Sequence, residues 1–168
     1  THELLTGERT LLNSIQQLSG VATVAHTFQE ALKGGKTKVL DTRKTVPGFR
    51  TLQKYAVRVG GGSNHRMGLF DMVLVKDNHI AAAGGVLEAL AVVKKHNTQN
   101  LMVEMEVENF DQLRALLNKG VDVIMLDNMS NETMAEALRI IKESGDKCLV
   151  EGSGVLTLER AKEMATFG

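Results

Sequence analysis

Three short stretches of this 168-residue sequence set positively charged side chains where they could meet an anion. Asp41-Thr42-Arg43-Lys44-Thr45 sets two cations side by side after an apolar run. Gly60-Gly61-Gly62-Ser63-Asn64-His65-Arg66 ends a glycine run in two potential cations, and Lys76-Asp77-Asn78-His79 follows a second apolar run. The arginine fork donates two parallel hydrogen bonds to a carboxylate or phosphate. Consecutive glycines let backbone N–H groups approach an anion, or simply let the chain turn. The first two stretches, taken alone, also suit a loop, and the third a structural pair of Lys76 with an Asp or Glu on the rim. Lys76 shares a strand face with Met72 and Leu74, and a buried lysine is costly unless paired or bound to an anion.

The carboxylates come next along the chain. Glu104 and Glu106 are two apart, so both point to one strand face with Met102. Two such groups repel unless a cation stands between them: Lys76, Arg43 or Mg²⁺. Asp127 adds a third carboxylate, and oxygen ligands of this kind suit Mg²⁺ held together with substrate phosphates. Glu151-Gly152-Ser153-Gly154 has the chemistry of a strand-to-helix turn that offers N–H donors and a hydroxyl to a phosphate; plain turn formation is the alternative. Together these groups suit a doubly anionic small substrate beside a metal-bound polyphosphate.

Such groups must be positioned by regular elements. Short apolar runs at 38–40, 72–75, 101–107, 123–126 and 148–150 alternate with helical spacing at about 48–59, 86–96, 110–119, 132–143 and 158–165. That rhythm predicts βα units around a parallel sheet. Helical periodicity over 8–32 precedes them, with Ser19-Gly20 as a possible break into two helices. Nearly every apolar run ends in polar residues, and the carboxyl ends of parallel strands lie on one side. One rim would then gather Arg43, Lys44, Lys76, Glu106, Asp127 and Ser153. No GxGxxG turn or Walker loop is present. The expected fold is therefore α/β: a parallel βα barrel, TIM-like and incomplete or open, preceded by N-terminal helices. Residues 1–168 read as one catalytic domain with no internal boundary, and 1–35 as its helical lead-in.

Composition narrows the functional classes. Lys plus Arg equal Asp plus Glu at 20 each, and the sequence holds one Tyr, five Phe and no Trp; neither favours a nucleic-acid surface. The single cysteine, Cys148, excludes a disulfide framework and reads as a small buried hydrophobe. No apolar stretch is long enough to span a membrane, and no signal peptide opens the sequence, so the cytoplasm is the expected compartment. The histidines show no HxxxH or HExxH spacing, with His2, His26 and His96 expected at the surface; the methionines read as core filler.

The motifs named above, with Gly7-Glu8-Arg9-Thr10-Leu11-Leu12-Asn13, Leu18-Ser19-Gly20-Val21-Ala22-Thr23, Lys54-Tyr55-Ala56-Val57 and Leu126-Asp127-Asn128, resemble quinolinate phosphoribosyltransferases (the carboxylating nicotinate-nucleotide pyrophosphorylases) in order and spacing. The resemblance implies Mg²⁺-assisted phosphoribosyl transfer from 5-phosphoribosyl-1-pyrophosphate to quinolinate, without an organic cofactor. Nicotinate mononucleotide, pyrophosphate and CO₂ would form, in NAD biosynthesis. It also implies residue roles. Arg43, His65, Arg66 and Lys76 would surround the quinolinate carboxylates, and Lys44 would assist there or at the pyrophosphate. Glu106 and Asp127 would address the ribose hydroxyls and Mg²⁺, and Ser153 and Gly154 would hold the 5-phosphate. Arg9 would reach a neighbouring subunit's site in a homodimer or higher homo-oligomer. Lys44, Lys76, Glu106 and Asp127 are the implied catalytic set. No nucleic-acid or membrane partner is expected.

Departures from the family pattern are the N-terminal α/β sandwich domain and the later barrel strands, expected to lie outside this segment, and Val155 where a small residue commonly stands. The isolated segment is accordingly expected to be inactive. Two other readings are a paralogous barrel for another anion, such as the molybdenum-transport-associated relatives, and a non-catalytic metabolite-binding or assembly module.

Overall fold

The computed structural model describes residues 1–167. The chain divides into two compact units, the first spanning Thr1–Met67 and the second beginning at Gly68. None of the described helices is long and apolar enough to cross a membrane.

The first unit is built on α1 (His2–Ala31) and α2 (Arg50–Val59). Helix α1 runs unbroken for 30 residues, so the break expected at Ser19-Gly20 does not occur. A lone glycine costs a helix only about 1 kcal/mol, too little to stop one that is otherwise well formed. Gly60 caps α2 where α2 meets α1: a Cβ there would strike the Ala22 carbonyl oxygen and lie 2.9 Å from the Ala25 Cβ. Glycine is the residue that permits this approach. The strand expected at 38–40 is instead an isolated parallel bridge, Leu40 to Ser63. Ser63 N–H donates to Val39 O (2.8 Å) and Asp41 N–H to Ser63 O (3.2 Å). The glycine run turns the chain just before Ser63, and Gly61 has φ +91°, so only one residue comes into register.

The second unit alternates strands and helices: β1 (Val73–Val75), α3 (Asp77–Ala83), α4 (Val86–His96), β2 (Val103–Val107), α5 (Phe110–Leu116), β3 (Val123–Asp127), α6 (Asn131–Ser144), β4 (Leu149–Ser153) and α7 (Leu158–Met164). The four strands form one parallel sheet in sequential order. Strand order runs without reversal, as in successive strands of a βα barrel rather than a doubly wound sheet. The α/β class, the parallel sheet and the helical lead-in are as expected, with four sheet strands in place of five.

Three helices start on side-chain caps. Asn109 accepts from Gln112 N–H at 2.9 Å, Ser130 from Thr133 N–H at 3.2 Å, and Thr157 from Arg160 N–H at 3.2 Å. Each supplies a partner for an otherwise unbonded first-turn donor. The core gathers Val75, Met105, Ile124 and Leu126 from the strands with Ile80, Leu90, Leu113, Leu116, Met134, Ala137 and Ile140 from the helices.

Two further expectations are corrected. Asp77-Asn78-His79 is the first turn of α3 rather than a loop, with Lys76 at its N-cap. Lys76 N–H donates to His79 Nδ1 at 3.0 Å, so the histidine closes a capping box. Strand β4 continues through Glu151, Gly152 and Ser153, which had been expected in a turn. Pairing with β3 holds them in the ladder, Met125 opposite Glu151 and Asp127 opposite Ser153.

Candidate active site

Strand register sorts the second unit's sheet into two chemically distinct faces. Residues paired across parallel strands point the same way. One face carries Val73, Val75, Val103, Met105, Val107, Ile124, Leu126 and Val150, which the helices cover. The other carries Leu74, Glu104, Glu106, Val123, Met125, Asp127, Leu149, Glu151 and Ser153. Four carboxylates thus share one face, three of them on neighbouring strands toward the carboxyl end.

Glu104 and Glu106 are buried, at 0% and 5% exposure. Lys76 continues the Leu74 side of β1, and Leu74 pairs with Glu104, so Lys76 stands beside Glu106. Its Nζ lies 3.6 Å from Glu106 Oε2. That separation suits an ion pair but is long for a hydrogen bond. Burial pushes the Glu106 carboxyl above the usual carboxylate range; Lys76 opposes the shift, while Asp127 and Asp77 add to it.

At the next strand end, Asp127 Oδ2 accepts from Asn128 Nδ2 at 2.6 Å. Asn128 adopts φ +51°, and its N–H donates to Ser153 O at 3.3 Å. Gly154 has φ +117°, and a Cβ there would sit 2.7 Å from Asn128 Oδ1. Glycine is therefore required at this junction for conformation and for space. Arg160 fastens the two loops from behind: Nη1 donates to Val155 O (2.8 Å), Nη2 to Met129 O (2.6 Å) and Nε to Asn131 Oδ1 (3.4 Å). Val155 itself is 79% exposed. The second unit thus brings Lys76, Glu106, Asp127, Ser153 and Gly154 to the carboxyl ends of its strands.

The first unit holds Arg9, Arg43, Lys44, His65 and Arg66. Arg9 is exposed on α1, and Lys44 is exposed in the loop. Arg43, His65 and Arg66 are half-buried. Arg43 Nε is enclosed without a hydrogen-bond partner, a buried donor that an anion would satisfy. Arg50 ties down this loop, donating from Nε to Thr45 Oγ1 (3.1 Å), from Nη2 to Arg43 O (3.2 Å) and from Nη1 to Met67 O (3.3 Å).

Asp41, Lys54 and Asn64 stand within the sequence motifs with no task legible there, and nothing in the sequence singles out Arg50 or Arg160. Lys54 is 1% exposed and pairs with Asp41. A charged residue within the amphipathic pattern of α2 reads as a solvent-facing position, so only the fold reveals its burial. The hard oxygen donors of Glu106 and Asp127 fit a divalent cation such as Mg²⁺: Glu106 Oε2 is enclosed without a hydrogen-bond donor, and Asp127 takes the Asn128 amide on Oδ2.

Comparison with known proteins gives a consistent picture. Residues 21–168 match the family model described as quinolinate phosphoribosyl transferase, C-terminal domain. The chain is 47% identical to the nicotinate-nucleotide pyrophosphorylase [carboxylating] of Mycobacterium leprae, over 98% of this chain and 58% of that protein. It is 42% identical to the probable nicotinate-nucleotide pyrophosphorylase [carboxylating] of Synechocystis, over 98% of this chain and 56% of that protein. The solved nicotinate-nucleotide pyrophosphorylase of Francisella tularensis superposes with a TM-score of 0.90 at 47% identity, covering 98% of this chain and 57% of the other. The chain spans a little over half the length of the curated relatives it matches.

Proposed function

Because this chain belongs to the quinolinate phosphoribosyltransferase family, within that family's C-terminal domain, we propose that the whole protein transfers phosphoribosyl from 5-phosphoribosyl-1-pyrophosphate to quinolinate. Decarboxylation follows, giving nicotinate mononucleotide, pyrophosphate and CO₂. The single observation that carries the reading is the carboxylate face of the sheet with Lys76 beside Glu106.

Each residue has work suited to its setting. Arg43, His65 and Arg66 in the first unit take carboxylates of quinolinate, Arg43 by completing its enclosed Nε donor. Lys76 offers a cation to a quinolinate carboxylate, and Lys44 serves the carboxylates or the pyrophosphate. Ser153, with the backbone at Gly154, holds the 5-phosphate. Departure of pyrophosphate leaves positive charge on the ribose, and the Glu106 and Asp127 carboxylates stabilise it. A carboxylate whose ionised form is penalised by burial gains the more from a developing cation. The pyridine nitrogen then bonds to the ribose C1. The pyridinium charge stabilises the electron pair left on the ring carbon when the adjacent carboxylate departs as CO₂, and that carbon takes up a proton from water to complete nicotinate mononucleotide. The protein contributes orientation and charge throughout. Glu106 and Asp127 would hold Mg²⁺, which supplies charge neutralisation for the pyrophosphate.

The reading includes a homo-oligomer in which Arg9 serves a neighbouring subunit. Leu4, Leu5 and Leu11 on α1 are 71%, 74% and 61% exposed, as a helix with a partner surface requires. It also includes a reducing, cytoplasmic setting, which suits the free thiol of Cys148. The 168-residue segment alone is expected to turn over little or no substrate.

The test is direct. Full-length protein incubated with quinolinate, 5-phosphoribosyl-1-pyrophosphate and Mg²⁺ should release pyrophosphate and CO₂ in equal amounts. Unchanged quinolinate after many enzyme equivalents of time and substrate would overturn the reading.

A further inference from the structure

We infer that the buried Asp41–Lys54 pair is a positioning device for the side chains of His65 and Arg66, an inference that rests on the proposed role of those two residues in binding quinolinate. The pair is enclosed, with side-chain exposures of 2% for Lys54 and 8% for Asp41. Desolvation offsets most of what such a pair gains in attraction, so stability alone gives little reason for one here. Its geometry gives a reason. His65 N–H donates to Asp41 Oδ1 at 2.9 Å, and His65 O accepts from Lys54 Nζ at 2.9 Å. The ammonium also bonds the Asp41 carboxylate itself, so carboxylate, His65 backbone and ammonium close into a ring. Asn64 seals its edge, with Nδ2 donating to Asp41 Oδ2 at 2.5 Å and to Lys54 O at 2.9 Å.

Both peptide groups of His65 are therefore fixed by charged partners. The peptide whose oxygen Lys54 holds also contains the Arg66 nitrogen, so the same bonds aim two consecutive side chains. Charge-assisted bonds are the stronger kind, and an ammonium is a compact donor able to serve a carboxylate and a carbonyl at once. Asp41 also stands two residues before Arg43 and is held to Ser63 by its backbone. One buried pair thus registers the Arg43 segment and the His65–Arg66 segment against each other within the first unit. Neither member needs to touch substrate.

The test uses the full-length enzyme with two variants: Lys54→Met, and the double variant Asp41→Asn/Lys54→Met, which leaves no unpaired buried charge. Steady-state constants are measured for both substrates, with thermal melts to establish folding. A misaimed binding group should raise the KM for quinolinate at least about tenfold in a folded variant. The KM for 5-phosphoribosyl-1-pyrophosphate should stay within about twofold of wild type, since the groups this pair holds directly, at His65 and Arg66, are assigned to quinolinate. Equal rises in both constants, or normal constants in a folded variant, overturn the inference. Failure of both variants to fold also overturns it, by assigning the pair to stability. A wild-type enzyme that does not use quinolinate would instead sink the functional reading itself, which separates the two failures.

Discussion

Lys76 Nζ stands 3.6 Å from Glu106 Oε2, across the adjacent ends of β1 and β2. The two side chains differ sharply in setting: Glu106 is 7% exposed at its side chain and Lys76 47%. The lysine therefore offsets only part of the cost of burying the carboxylate, and the Glu106 pKa is raised. Folding then binds the Glu106 proton more tightly than the unfolded chain does. The native state gains this contribution fully below the ordinary carboxylate range and loses it as pH rises through the raised pKa. Glu106→Gln cannot ionise, so it should match wild-type stability in acid and exceed it at neutral pH. Thermal melts of the full-length pair at about pH 4 and pH 8 check this; a variant less stable than wild type at the higher pH would contradict it.

The junction between β3 and β4 gives a steric prediction. Gly154→Ala must place a side chain at φ +117° against Asn128. It should cost about 1–3 kcal/mol of stability and raise the KM for 5-phosphoribosyl-1-pyrophosphate. Gly152→Ala is the control, because its Cβ would meet the flexible tip of Met164 without a positive φ. Denaturant melts and kinetics on both variants should rank Gly154 as the more sensitive site; the reverse order would refute the assignment.

Cys148 should be chemically quiet. Burial first, and then the nearby Asp146 charge, push its thiol up to about 11. The thiolate is the reactive form, so folded Cys148 should label at pH 8 about a hundredfold more slowly than the unfolded chain. Labelling with an aromatic disulfide reagent, native against denatured and with Cys148→Ser to identify the signal, reads this out. Cys148 is half-buried rather than fully buried as expected from its apolar run, and rapid labelling of the native protein would be inconsistent with its raised pKa.

Much of this was legible in the sequence, for physical reasons. Buried parallel strands need unbroken apolar runs, so the runs at 72–75, 101–107 and 123–126 overlap β1, β2 and β3. Strand alternation alone put Glu104 and Glu106 on one face, and the register confirms it. The bounds of α4 were read correctly because its apolar spacing ends at residues with clear stop signals. What was missed depends on contacts distant in sequence or on the dual nature of polar residues. Lys76-Asp77-Asn78-His79 looks like a loop until His79 is seen to cap a helix. Leu40 needed Ser63, and Asp41 needed Lys54 and Asn64, partners 13 to 23 residues away that no periodicity announces. Ser153 stays in a strand because Asp127 pairs with it, a fact of register rather than composition.

The most direct measurement is kcat/KM for quinolinate in the full-length enzyme, wild type against Lys76→Ala. Lys76 is half-exposed at a strand end, so its removal should leave the fold intact. The account predicts a loss of about a hundredfold or more, the scale for losing a positioned charge at the reacting centre, in a variant that still melts cooperatively, its midpoint lowered only by the partial offset that Glu106 loses. Near-normal kinetics in the folded variant would contradict it.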